Sequence, residues 1–136
     1  MEDCIFCKIA RGEIPAEKVY EDAEVVAFLD RRPVNPGHLL VIPKIHAANL
    51  YEASDASLAA TMRVVKRTAV AIKKALGAGG INIHINNDRP AGQVVFHMHV
   101  HVIPRYDKDG YEHWHGKDEN YRDASVVAQK IRENLE

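Results

Sequence analysis

The chain has 136 residues, 46% of them hydrophobic, which is enough for one compact domain over residues 1–136 with its own core. A formal net charge of -1 and a pI near 6.7 provide no global field that would favour nucleic acid or an anionic membrane. No apolar run has the length of a bilayer span and no basic-then-apolar leader opens the chain, so the expected setting is cytoplasmic, without nucleic-acid or membrane partners.

In chain order, Cys4 and Cys7 come first, as a CxxC pair. In a reducing cytosol this spacing points to metal or redox chemistry rather than a structural disulfide, and a thioredoxin-like role would need a βαβ context. Val25–Leu29 is a short apolar run that ends in Asp30 and the turn-like Val34-Asn35-Pro36-Gly37. His38–Ile42 then reads as a second strand, stopped by Pro43, so the two runs predict neighbouring antiparallel strands. Leu58, Met62, Val65, Ala69, Ile72 and Leu76 recur in steps of three and four, which predicts a long helix buried along that stripe. Ser54 or Asp55 can cap its start and Gly77 its end, while Lys66, Arg67, Lys73 and Lys74 form its solvated face.

Ile81–Asn86 alternates strictly and predicts a half-buried strand, isoleucines inward, with Asn82, His84 and Asn86 on the other face. A turn-rich loop over Asn87–Gly92 follows, then a strand over Val94–Ile103. The Tyr106–Tyr121 stretch, which holds His113, Trp114 and His115, has no clear pattern; Trp114 is expected to anchor a packed aromatic corner. The tail from Asp123 predicts a short terminal helix. Strands, one long helix, strands and a tail make an α+β fold with a mainly antiparallel sheet.

The histidine strand carries the chemistry. His97, His99 and His101 stand on alternate positions and share one face, with Met98, Val100 and Val102 on the other. Each imidazole has two ring nitrogens that need partners when buried, so three in a row are a poor choice for packing alone. Three uses compete: shared ligation of a metal, a nucleophile held by its neighbours, or a proton relay. Glycines and amides of the flanking loops favour an anion such as phosphate nearby, toward which neutral imidazole is a competent nucleophile.

His97-Met98-His99-Val100-His101-Val102-Ile103, with Asp30, the Pro36–His46 block, Asn86 and Gly92-Gln93, resembles the histidine triad (HIT) family, closest to its bacterial Hint-like branch. The resemblance implies a sheet of about five strands with one long helix, and a homodimer joining two such sheets. It also implies hydrolase or transferase chemistry on the α-phosphate of a purine nucleotide conjugate, a nucleoside phosphoramidate or (amino)acyl nucleotide. His99 would be the nucleophile that forms a covalent nucleotidyl-histidine, His101 would bind phosphate oxygens and the leaving group, and His38 would hydrogen-bond within the cluster. The backbone carbonyl near His97 would set the tautomer of His99. Asp30 would hold the ribose hydroxyls, and Asn86 and Gln93 would approach the phosphate or leaving group; Leu29 and Ile5 or Phe6 would line the base pocket. No organic cofactor is implied.

Cys4 and Cys7 resemble the zinc-binding pair of some bacterial HIT proteins, with His46 and His97 completing a closed, structural Cys₂His₂ zinc site. His97 would then be a ligand rather than a working catalytic histidine. The chain departs from the family at Val94, where relatives carry serine or threonine, which puts the preferred leaving group in question. Dinucleoside polyphosphate hydrolysis is the alternative within the family. A nucleotide-binding regulatory protein with incidental turnover, or a metallohydrolase using the histidine strand, are the alternatives outside it.

Overall fold

The computed structural model describes residues 3–136. Five strands, β1 (Lys18–Glu21), β2 (Val25–Leu29), β3 (Leu39–Pro43), β4 (Gly80–His84) and β5 (Val100–Arg105), form one antiparallel sheet in the order β1-β2-β3-β5-β4. A six-residue helix, α1 (Ile5–Ala10), precedes them. The long α2 (Asp55–Leu76) links β3 to β4, and α3 (Ala124–Glu133) ends the fold. No helix is long and apolar enough to cross a membrane among the described residues.

Strand alternation divides the core between the two faces. On one face Val25, Ala27, Leu39, Val41, Val100 and Val102 pack under α2. On the other, Val26, Phe28, Leu40 and Ile42 pack under Phe6 and Ile9 of α1. One cross-sheet row on this second face runs Lys18, Phe28, Leu40, His101, His84. The apolar centre of the sheet thus gives way to imidazoles toward the β4 edge.

The long helix starts and stops as its sequence predicts: the Ser54 hydroxyl accepts from Ser57 N–H, and Gly77 closes it with φ +67°. Its buried stripe is only partly the one expected, with Val65 and Ile72 buried and Ala69 packed beside them. Ala60, Thr61, Val64, Val65, Thr68 and Ile72 face the sheet, whereas Met62 and Leu76 are 44% and 48% exposed. Thr61 and Thr68 return their hydroxyls to the Ser57 and Val64 carbonyls, so these polar side chains enter the core without an unmet donor.

Two elements absent from the sequence reading, α1 and β1, flank the sheet. The histidine strand is also shorter at its front and longer at its end than Val94–Ile103. Residues 94–99 bend away, and pairing with β3 begins at Val41–Val100. Beyond Leu39–Val102 there is no β3 partner, so Pro104 sits in the strand where its missing N–H costs no ladder bond; its carbonyl accepts from Asn35 Nδ2 at 3.0 Å.

Trp114 is no anchor: it is 95% exposed, because the segment after Gly110 runs off the sheet and nothing among the described residues covers it. The terminal helix likewise buries no residue, leaving Val126, Val127, Ile131 and Leu135 exposed.

The turn from β2 to His38 is pinned from several sides. Asp109 receives both Arg105 Nε and Asn35 Nδ2, at 2.8 and 2.9 Å, and the arginine holds its carboxyl well below the usual carboxylate range. Gly37 adopts φ +95°, and a Cβ there would collide with Leu76 Cδ1 and crowd Pro104 Cγ. Gly37→Ala is expected to destabilise the fold by about 2 kcal/mol, from strained backbone and overpacking combined. Urea unfolding of the variant beside the wild type measures it.

Candidate active site and metal centre

The site is built on the face of the sheet that α1 covers. The Phe6 ring stands edge-on to His99 at 5.1 Å and to His97 at 6.1 Å, between centroids. His99 and His101 are neighbours at 5.0 Å, and His38, entering β3, lies 5.2 Å from His101. The expectation that the three strand histidines share one face therefore holds through the bend at 94–99.

Backbone partners decide which nitrogen of each ring carries the proton, because a carbonyl can only accept and an amide N–H can only donate. His99 Nδ1 lies 2.7 Å from the His97 carbonyl, so Nδ1 is protonated and Nε2 keeps a free lone pair. Val34 N–H donates to His38 Nδ1 at 2.9 Å, which places the His38 proton on Nε2. That Nε2–H donates to His101 Nδ1 at 2.9 Å, leaving the His101 proton on Nε2. His97 Nε2–H donates to the Pro43 carbonyl at 2.8 Å, so His97 Nδ1 offers a lone pair.

Burial pushes all four imidazoles down. His97 and His101 fall to about 4, His101 lowered further by His99 and His38. His99 and His38 also fall, with Asp30 pulling back up on both. Near neutral pH the cluster is uncharged, and His99 Nε2 is an available nucleophile.

The His97 lone pair points at a second cluster. Its Nδ1 is 3.5 Å from Cys4 Sγ, 3.5 Å from Cys7 Sγ and 3.2 Å from His46 Nδ1. Cys7 Sγ and His46 Nδ1 are 3.4 Å apart. Ligands of a tetrahedral zinc, at about 2.0–2.3 Å from the ion, stand roughly 3.3–3.8 Å from one another, so these donors are already spaced for one. Burial and the neighbouring Cys4 push the Cys7 thiol up, a cost that a cation at the centre reverses. Cys4, Cys7, His46 and His97 can hold a metal ion.

Asp30, His38 and His101 are also close enough to share an ion. They fit one poorly, because the His38 nitrogen that faces the group already carries a proton, which Val34 N–H enforces.

The remaining expected residues occupy unequal places. Asp30 Oδ1 accepts Arg32 N–H at 2.8 Å while Oδ2 sits 3.6 Å from His38 Nε2, so one carboxylate oxygen faces the site. Asn86 lies two residues past His84, beside the Gly92 turn. Gln93 is 2% exposed with its amide committed to the loop: its oxygen accepts Asp88 N–H, and its nitrogen donates to the Ala48 and Val95 carbonyls. Leu29 stands opposite Leu39 and lines a groove beside Ile72 and Leu76, on the face away from the histidines. Ile5 is 45% exposed on α1 and Phe6 is buried against the cluster, so α1, not Leu29, supplies apolar surface here. The Val94 side chain is 82% exposed and brings no donor. Sequence reasoning offered Phe6 for a base pocket rather than for the place beside His99 that it takes, and it missed Asn35 as the tie beneath His38; the Cys4-Ile5-Phe6-Cys7 order was the available signal for α1.

Residues 11–108 match the family model for the HIT domain. The chain belongs to the HIT family. A HIT family protein from Bacillus anthracis superposes with a TM-score of 0.91 at 38% identity, covering 99% of each chain. A Zn-bound histidine triad family protein from Mycobacterium smegmatis gives a TM-score of 0.77 at 36% identity, covering 98% of this chain and 99% of that one. Among curated relatives, the adenosine 5'-monophosphoramidase hnt1 of Schizosaccharomyces pombe is 46% identical, over 78% of this chain and 77% of its own length.

Burial of neutral imidazoles makes the stability of this HIT domain depend on acid. The unfolded chain, with ordinary imidazoles near 6.5, takes up protons first, and the folded His101 only near 4. Stability is full above about pH 6.5 and falls through the window down to about pH 4, by about 2 kcal/mol for His101 after allowance for its partial exposure. Thermal melts from pH 7 to 4 measure the slope, and His101→Asn is expected to flatten it.

Proposed function

We propose that this HIT protein hydrolyses nucleoside phosphoramidates or (amino)acyl nucleotides, preferring a purine base, and releases the nucleoside monophosphate. The observation that carries the reading is the tautomer of His99. Its Nδ1–H is held by the His97 carbonyl, which leaves Nε2 unprotonated beside Phe6. In the first step Nε2 donates its lone pair to the α-phosphorus, the bond to the leaving group breaks, and the leaving atom keeps that pair and takes one proton from solvent. His101 Nε2–H donates a hydrogen bond to the leaving group or a phosphate oxygen, where charge develops. In the second step water attacks phosphorus, the P–Nε2 bond breaks, His99 returns to neutral, and a proton is released that balances the first.

The other residues position these two. His38 orients His101 through the 2.9 Å bond, and the free Asp30 oxygen suits a ribose diol, being acceptor-only. Asn86, beside the Gly92 turn, would donate to the phosphate or leaving group. Gln93 acts by shaping the Asp88–Val95 loop. Zinc held by Cys4, Cys7, His46 and His97 would supply structure alone, tying α1 and hence Phe6 to the nucleophile's strand. We further place the protein in the cytoplasm as a homodimer: β4 is an unpaired edge, and the exposed apolar side chains of α3 need a cover.

His99→Ala is expected to lower hydrolysis of adenosine phosphoramidate by a factor on the order of 10³ or more while AMP binding persists. Mass spectrometry of the quenched wild type should place a nucleotidyl group on His99. A folded, AMP-binding wild type without turnover would defeat the hydrolase reading. For the metal, elemental analysis should find one zinc per chain in wild type and His99→Ala. Cys7→Ala should lose the zinc and melt at lower temperature.

A further inference from the structure

A fifth histidine stands beside this cluster of four, outside the triad pattern. His84 pairs directly with His101 across β4 and β5, so their side chains leave the sheet on the same face with Cβ atoms about 4.5–5.5 Å apart. It is exposed, on the edge strand, whereas His97, His99 and His38 are buried. The sheet order places it on the side of His101 away from His38 and Asp30.

The direction of the His101 ring makes this position matter. Its Nδ1 is taken by His38, so its one free N–H, on Nε2, points away from β3. A leaving group that receives this hydrogen bond lies next to His101, and the nearest side chain of β4 to meet it is His84. The other titratable groups of the cluster, His38 and Asp30, lie on the far side of His101. Beyond Asn82, at the end of β5, stands Arg105, whose guanidinium is already tied to Asp109 and Asn82. Electrostatic coupling agrees with the pairing: burial lowers His38 and His101 most, and His84 lowers each further. An imidazole N–H in this place is a donor to an anion whether or not the ring is charged.

We infer that His84 is a specificity-determining residue that favours leaving groups bearing an anionic oxygen, such as the carboxylate of a departing amino acid. The inference rests on the hydrolase reading above and names its substrate class: nucleotide conjugates of acidic or carboxylate-bearing amines rather than of neutral ones.

The test uses two adenosine phosphoramidates that differ in one charge, the conjugates of glycine and of glycinamide, with wild type, His84→Leu and His84→Glu. The readout is the ratio of kcat/KM for glycine over glycinamide, which a loss of fold or of nucleophile would not move. His84→Leu should lower it about fivefold, as expected for one charge–donor contact at a solvated site. His84→Glu should lower it further and turn the preference toward glycinamide. An unchanged ratio in His84→Glu overturns the inference. Should wild type bind both conjugates but cleave neither, the hydrolase reading fails separately, and the same ratio is read from the two dissociation constants: a charge preference lost in His84→Glu sustains the role of His84 and an unchanged one overturns it.

Discussion

The site depends on one constraint: backbone groups, not side chains, choose the tautomer of each histidine. Two carbonyls and one amide N–H suffice. The His97 carbonyl fixes His99, the Pro43 carbonyl fixes His97, and the Val34 amide fixes His38 and through it His101. A backbone partner cannot swing away or change its protonation state, so the pattern is set once the chain has folded. Four imidazoles that differ little in isolation thereby acquire four duties. One keeps a lone pair free beside Phe6, one turns a lone pair to the cysteines, one keeps an N–H free, and one gives its N–H to its neighbour.

The same constraint separates two chemistries on one short stretch of chain. His97 and His99 are two residues apart, yet the free nitrogen of His97 joins Cys4, Cys7 and His46 while that of His99 stays clear of them. The bend at 94–99 makes room for this, since a straight strand would hold both rings in parallel. Helix α1 then couples the two centres mechanically. Its Cys4 and Cys7 belong to the donor set, and Phe6 between them packs on His97 and His99 at once. Burial of this aromatic side chain, on the order of 2 kcal/mol, covers one side of His99.

Much of this was legible in the sequence, for physical reasons that differ between elements. The β2 and β3 runs, bounded by Pro and Gly, formed the central strands, and the capping residues Ser54 and Gly77 set the ends of α2. The helix stripe was misread because hydropathy favours Met62 and Leu76, while the space under the helix takes the smaller Thr61 and Thr68, whose hydroxyls the helix itself satisfies. α1 has only six residues, too short for a periodic signal, and it exists because Phe6 and Ile9 are buried against β2 and β3. Trp114 looked like core by residue type alone; only the path of the chain shows that no described residue of the same chain covers it.

By itself the sequence determined the inventory: the alternation that puts His97, His99 and His101 on one face, the CxxC pair, and the family to which those motifs belong. Alternation and spacing are local properties, and a linear pattern encodes them directly. The tertiary structure alone decided which ring nitrogen is free, that Gln93 spends its amide on the loop, and that Leu29 faces away from the histidines. It alone put His84 beside His101. Each of these depends on a partner many residues distant, and the register between strands, which fixes such partners, is set by burial of a sheet face that only the folded chain provides.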